Sequence, residues 1–285
     1  VPTSPTTEVL VVEGNTRETC QRMARTGETP YGESYADLLC RLDAKIQCTV
    51  VYPSEEGADC MSDRPLAQYS GIAWTGSSLN IYDNTEPIKN QLRFADRVLN
   101  EGLPIFGSCW GLQVFVTALG GKVRRNPKGR EIGIARAITL TDEGTAHPMY
   151  NGKPQVFESL AVHLDEVEEL PSKATVLATN EMSRVQAISI NTNNIDFWGV
   201  QYHPEFDFAR MAAILKRLYD QLLSENLYTD ETELANAIQA YEGLGRRQAL
   251  DRKTPVPGVA FEVGDIARRT RELTNWLRRI ANTTH

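Results

Sequence analysis

With 285 residues, 41% hydrophobic and 24% charged, the chain has a globular composition and room for a large core in one or two domains. A net charge of −7 gives no general attraction to nucleic acid or an anionic membrane, and no apolar run approaches the ~20 residues of a membrane-spanning helix. The five cysteines, Cys20, Cys40, Cys48, Cys60 and Cys109, are odd in number and lack C-x-x-C spacing, so a structural disulfide or zinc site is not expected and a reducing, cytoplasmic setting is. The opening Val-Pro-Thr-Ser-Pro-Thr-Thr-Glu has neither the charged nor the apolar region of a secretory signal.

Glu8 to Gly14 reads as a buried first strand ending in a loop. The polar stretch from Asn15 to Gly32 reads as a long loop at that strand's C-terminal end, where open α/β sheets place their ligand crevices. Tyr35, Leu38, Leu39 and Leu42 have helical spacing over Ser34 to Leu42. Ile46 to Tyr52 is a second strand, rich in β-branched residues. Tyr69 to Trp74 is a third, running into Thr75-Gly76-Ser77-Ser78. Glu86 to Asn100 predicts a helix, closed by Gly102.

Pro104-Ile105-Phe106-Gly107-Ser108-Cys109-Trp110-Gly111-Leu112-Gln113 is the stretch around which the chain is organised. An apolar run leads into a cysteine with glycines two residues to either side, and a helix-compatible run follows to Gly120-Gly121. That is the layout of a nucleophile elbow: strand, sharp turn, helix. Glycines are expected at those offsets because side chains there would meet the neighbouring strand and helix. The helix N-terminus beside the sulfur is expected to favour thiolate. A buried structural cysteine is the competing reading of Cys109.

After Gly121, Ile132 to Thr141, Gln155 to Leu160, Thr175 to Ala178 and Val185 to Ile190 are short strand candidates, expected as antiparallel hairpins on or beside the main sheet. Phe197 to Tyr202 is another strand, ending in His203-Pro204-Glu205. Asp207 caps an amphipathic helix with Met211, Ile214, Leu215, Leu218 and Leu222 on one face. Asp230 and Glu233 resemble a capping box for a helix through Tyr241. Pro255-Val256-Pro257-Gly258 punctuates, and Asp265 caps a last helix with Ile266, Leu273, Leu277 and Ile280 on one face. From Asn226 onward nine basic residues face eight acidic ones, which fits a packed or dimerising appendix rather than a nucleic-acid tail. The expected architecture is α/β: a doubly wound, mostly parallel sheet with helices on both faces, an antiparallel hairpin block and a short helical C-terminal extension. Residues 1–225 form the expected main domain and 226–285 the extension.

A cysteine nucleophile needs a base. Of His147, His163, His203 and His285, the last is the C-terminal residue, and His147 sits in a turn-like stretch expected at the surface. His203 ends an apolar strand with Glu205 two residues on, so a carboxylate can fix the imidazole as in a triad. A satisfied interior histidine is the alternative.

Gly107-Ser108-Cys109-Trp110-Gly111 with Gln113, followed by Gly199-Val200-Gln201-Tyr202-His203-Pro204-Glu205, resembles the class I (triad) glutamine amidotransferase family. Thr75-Gly76-Ser77-Ser78 is similar to its Gly-rich oxyanion loop. Val162-His163-Leu164-Asp165 resembles the Ser-His-Gly-Asp element of its GMP-synthase-like branch, with Val and Leu in place of Ser and Gly. The resemblance spans roughly Val9 to Tyr219. It implies Cys109 as nucleophile, His203 as base and Glu205 as its orienting carboxylate. The backbone N–H groups of Trp110 and of Gly76 or Ser77 would hold the oxyanion, and Gln113, His163 and Asp165 would contact the glutamyl part of the substrate. It implies no metal and no cofactor.

No G-x-x-x-x-G-K-[ST] pattern for a synthetase half is present. Three readings follow. The chain is a free-standing amidase releasing glutamate from glutamine or a γ-glutamyl amide through a γ-glutamyl thioester, a glutaminase subunit supplying ammonia to a synthetase partner, or an inactive binding or regulatory homologue. A homo-oligomer is compatible with each. Trp110 is bulky enough either to pack against an apolar leaving amine or to be a core residue.

Overall fold

The computed structural model describes residues 6–55, 64–192, 194–250 and 261–283. Cys60, Pro255 to Gly258 and His285 lie outside them. In chain order the strands are β1 (Thr7–Val12), β2 (Ile46–Val51), β3 (Gly71–Trp74), β4 (Pro104–Ser108), β5 (Lys122–Arg125), β6 (Glu131–Leu140), β7 (Val156–His163), β8 (Asp165–Glu169), β9 (Thr175–Thr179), β10 (Ala187–Asn191) and β11 (Asp196–Val200). The helices are α1 (Arg17–Arg25), α2 (Tyr31–Leu42), α3 (Glu86–Glu101), α4 (Trp110–Ala118), α5 (Asp142–Ala146), α6 (Phe208–Arg217), α7 (Tyr219–Ser224), α8 (Glu231–Leu250), α9 (Phe261–Gly264), α10 (Ile266–Arg269) and α11 (Arg271–Thr283).

The main sheet has the order β2-β1-β3-β4-β11-β10-β9-β6-β7 among the described residues. The first five strands are parallel, and β10, β9, β6 and β7 continue the same sheet antiparallel. The expected hairpin block is therefore an extension of the main sheet, while β5 and β8 pair as a separate two-stranded ribbon. Strands β1, β3 and β4 are buried on both faces because helices cover both. On one face α2 and α11 supply Tyr35, Leu38, Leu39, Leu273, Trp276, Leu277 and Ile280; on the other α3 and α4 supply Ile88, Phe94, Val98, Leu112 and Phe115.

Two expectations are corrected. The stretch from Asn15 to Gly32 is not an extended loop, because Thr16 caps a helix within it, its side chain accepting from the Thr19 N–H at 3.2 Å. The buried Glu13 carboxylate ties its ends, accepting from the amides of Asn15 at 3.0 Å and Gly32 at 2.6 Å. The helix capped by Asp207 breaks at Leu218, so its apolar face is carried by α6 and α7 in turn. The segment after 225 packs on the rest of the chain. Helix α8 lies on α6, and α11 returns beneath the parallel strands, where Trp276 packs against Phe106 with ring centroids 6.0 Å apart.

Candidate active site

Cys109 lies between β4 and α4, at the C-terminal ends of adjacent parallel strands. Its backbone is strained, with φ 50° and ψ −97°, and is pinned by a 2.7 Å hydrogen bond from its N–H to the Val200 carbonyl on β11. The flanking glycines are explained by close approach. A Cβ on Gly107 would lie 2.7 Å from the Gly111 carbonyl carbon, and one on Gly111 would lie 2.7 Å from the Trp74 carbonyl oxygen. The sulfur is buried. Its thiol donates to the Val162 carbonyl at 3.6 Å and accepts from the Gln201 amide at 3.4 Å. Burial pushes the thiol pKa up, the nearby Glu205 and Asp165 carboxylates add to this, and the Trp110 N–H and Gln201 amide oppose it. At this sulfur burial works against the helix terminus, which favours the thiolate.

His203 and Glu205 follow β11. The His203 N–H donates to the Leu160 carbonyl at 2.8 Å, and its ring stacks on Phe206 with centroids 3.9 Å apart and planes 3° from parallel. Nδ1 is 2.7 Å from Glu205 Oε1, and Glu205 Oε2 accepts from Ser108 Oγ at 3.1 Å. Both side chains are buried. Nε2 of His203 is buried with no protein partner. Gly76 makes room for this ring: a Cβ there would lie 2.7 Å from His203 Cε1. The Gly76 loop is held by Asn15, whose Oδ1 accepts from the Ser78 N–H at 3.0 Å, and by Thr75 Oγ1, which accepts from the Gly14 N–H at 2.9 Å.

Cys109 and His203 line one cavity of about 210 Å³, together with Ser77, Gln113, His163 and Asp165. Gln113 is buried and donates to Gln201 Oε1 at 3.4 Å. Both ring nitrogens of His163 are engaged, Nε2 by Glu131 at 2.8 Å and Nδ1 by the Asp165 carbonyl at 2.9 Å. Asn180 and Gln186 donate to the same Glu131 carboxylate, so His163 is a fixed wall with no polar atom left to offer. Asp165 accepts from Tyr82 Oη at 3.0 Å, and burial raises its pKa against that hydrogen bond. The Trp110 indole turns away from the cavity into the core, donating to Gln91 Oε1 at 2.8 Å. His147, expected at the surface, is half-buried, edge-on to Trp198.

The sequence model described as "Glutamine amidotransferase class-I" matches residues 31–221. The chain belongs to the class I glutamine amidotransferase family. It is 29% identical over 272 residues to a γ-glutamyl-L-1-hydroxyisopropylamide hydrolase of a Pseudomonas species, covering 94% of this chain and 91% of that one. It is 28% identical over 225 residues to the GMP synthase [glutamine-hydrolyzing] of Thermomicrobium roseum, 77% of this chain but only 39% of the synthase. A glutamine amidotransferase crystal structure from Thermotoga maritima superposes with a TM-score of 0.63 over 98% of this chain and 100% of that one. At 17% identity that likeness concerns the fold.

For a class I amidotransferase chain, the motif-bearing residues were legible in the sequence and their supports were not. Ser108, Tyr35, Gln201, Phe206, Asn15 and Glu131 went unread. Gln201 had a usable signal: it lies two residues before His203, as Glu205 lies two after, so alternation places all three toward one side. Tyr35 had none; its hydroxyl reaches Ser108 Oγ at 3.3 Å from a helix 73 positions away.

Proposed function

We propose that this chain hydrolyses γ-glutamyl amides through a γ-glutamyl thioester on Cys109, as a free-standing enzyme without metal or cofactor. The thiol proton passes to His203 Nε2 as the sulfur attacks the γ-carbonyl carbon. The N–H groups of Trp110 and of Gly76 or Ser77 hold the resulting oxyanion. His203 returns the proton to the leaving nitrogen, the C–N bond breaks and the amine departs. Water then attacks the thioester with His203 as base, and glutamate leaves as the thiol re-forms. Glu205, anchored by Ser108, keeps Nδ1 protonated and the ring aligned. Gln113 and Asp165 take the glutamyl end, and His163 positions Asp165.

The observation that carries this reading is the unpartnered His203 Nε2, on a ring that lines the same cavity as Cys109. With that nitrogen free to accept a proton, transfer from the thiol to it is the step the arrangement supports. An amide larger than glutamine is favoured by the relative that aligns with nearly the whole chain, since the synthase relative has most of its length unmatched. A glutaminase that feeds ammonia to a synthetase is the second reading, favoured by that synthase match. The deciding measurement is kcat/KM of the purified chain for γ-glutamyl ethylamide against glutamine, with 6-diazo-5-oxo-norleucine labelling mapped to Cys109. Preference for glutamine, or inactivity until a second protein is added, selects the glutaminase reading; labelling elsewhere with Cys109 unmodified overturns both.

A further inference from the structure

The catalytic cavity shares one wall residue with a second, larger cavity. Arg217, the last residue of α6, lines the catalytic cavity and also an open cavity of about 790 Å³ between α1, α6 and α8. The larger cavity has a floor of short or apolar side chains, including Met23, Ala209, Ala212 and Ala213, under a charged rim. Arg217 is not a loose surface cation. Its side chain is 23% exposed, Nη1 pairs with Glu28, and Nη2 donates to Tyr31 Oη at 2.8 Å.

The side on which this wall stands follows from contacts. A leaving amine receives its proton from His203, so it departs on the base's side of the cavity. The His203 ring stacks on Phe206, Phe206 packs on Tyr31 with centroids 5.3 Å apart, and Tyr31 carries the hydrogen bond from Arg217. Tyr31, Ile214 and Leu218 line the catalytic cavity beside Arg217. Gln113 and Asp165, proposed for the glutamyl end, come from α4 and β8 instead.

We propose that Arg217 is the specificity-determining residue that limits the length of the leaving amine, by standing as the partition between the two cavities. This rests on the γ-glutamyl amide reading above. The substrate class is a γ-glutamyl amide of a short, uncharged amine. Tyr31, Ile214 and Leu218 offer such an amine an apolar wall, and the two arginines that line the cavity are paired, Arg217 with Glu28 and Arg130 with Glu225. A long alkyl chain would have to displace an ion-paired, hydrogen-bonded guanidinium to reach the space beyond.

The test compares kcat/KM for γ-glutamyl hexylamide and γ-glutamyl ethylamide. The wild type should favour the ethylamide strongly. In Arg217→Ala the hexyl-to-ethyl ratio should rise by about tenfold or more, the scale of discrimination that a few methylenes provide. Adding Ala213→Leu, which narrows the outer cavity, should reduce that rise, whereas Ala213→Leu alone should leave ethylamide turnover unchanged. If Arg217→Ala fails to fold, the shorter but polar Arg217→Gln carries the same expectation at smaller size. An unchanged ratio in a folded variant, or a wild type that takes both amides equally, overturns the partition while leaving the hydrolase reading intact. A wild type that hydrolyses glutamine but neither amide removes that reading, and the partition with it.

Discussion

Tyr202 and His203 are neighbours in sequence and belong to two buried polar clusters built to opposite ends. Tyr202 donates to Glu272 Oε1 at 2.7 Å and shares a 2.9 Å hydrogen bond with Tyr150, while Lys153 Nζ lies 2.6 and 2.8 Å from the two Glu272 oxygens. All four are buried, and their charges and hydroxyls close on one another, so the cluster clamps α11 to the sheet. His203 has one nitrogen fixed by Glu205 and leaves the other unpartnered, on a ring that lines the same cavity as the buried Cys109. Desolvating a polar atom is unfavourable in both places. In the first cluster partners offset it; in the second the atom is left over at a cavity wall, where chemistry can use it.

The comparison breaks if damage to the second cluster unfolds the protein or damage to the first stops turnover selectively. The largest effect is expected at His203: His203→Asn should abolish amide hydrolysis with the thermal midpoint nearly unchanged, since the other histidine lining the cavity among the described residues, His163, has both ring nitrogens engaged. Glu205→Gln should leave a measurable remnant, down on the order of 10⁴ in kcat, as in triads that lose their orienting carboxylate. Urea titration of Glu272→Ala should show a loss of about 3–5 kcal/mol, because a buried ammonium then loses its carboxylate, while kcat of the folded fraction stays within a few-fold of wild type. Gly76→Ala sharpens the second cluster. Its methyl group would intrude on His203 Cε1, and kcat should fall about 10²-fold through ring displacement with little change in stability.

The smallest effect belongs to His147, outside both clusters. Burial first, and then Arg279, lower its pKa from 6.5 to about 4. The folded state therefore prefers the neutral ring. As pH falls from about 6.5 towards 4 the unfolded chain takes up this proton first, so stability is lost across that window. His147→Gln should flatten the loss, read as a smaller change in thermal midpoint between pH 7 and pH 4.5.

Much of the fold was legible because local signals and tertiary structure agree along the parallel half. β-branched runs became β1 and β2, the Glu86 to Asn100 pattern became α3, and the glycines around Cys109 proved necessary for close approach. Asp207, Asp230 and Asp265 each accept a hydrogen bond from the backbone N–H three residues on, as their capping spacing predicted. The strands β5 and β8 were missed, since Lys122 to Arg125 and Asp165 to Glu169 are charged and lack alternation. Helix α1 was missed because its Gly- and Pro-flanked sequence looked like a loop.

What the sequence determined by itself is where the motif residues fall in the fold. Cys109, His203 and Glu205 sit in short motifs at strand ends, and each motif dictates its own backbone turn through glycine, proline and apolar spacing within a few residues. The tertiary structure alone decided the burial of the thiol, the pairing of Arg217 with Glu28, the use of both His163 nitrogens and the burial of the Lys153 side chain with Glu272. Each depends on desolvation and on a partner from a distant part of the chain or another element. No local pattern encodes how much water a side chain will lose when those elements meet.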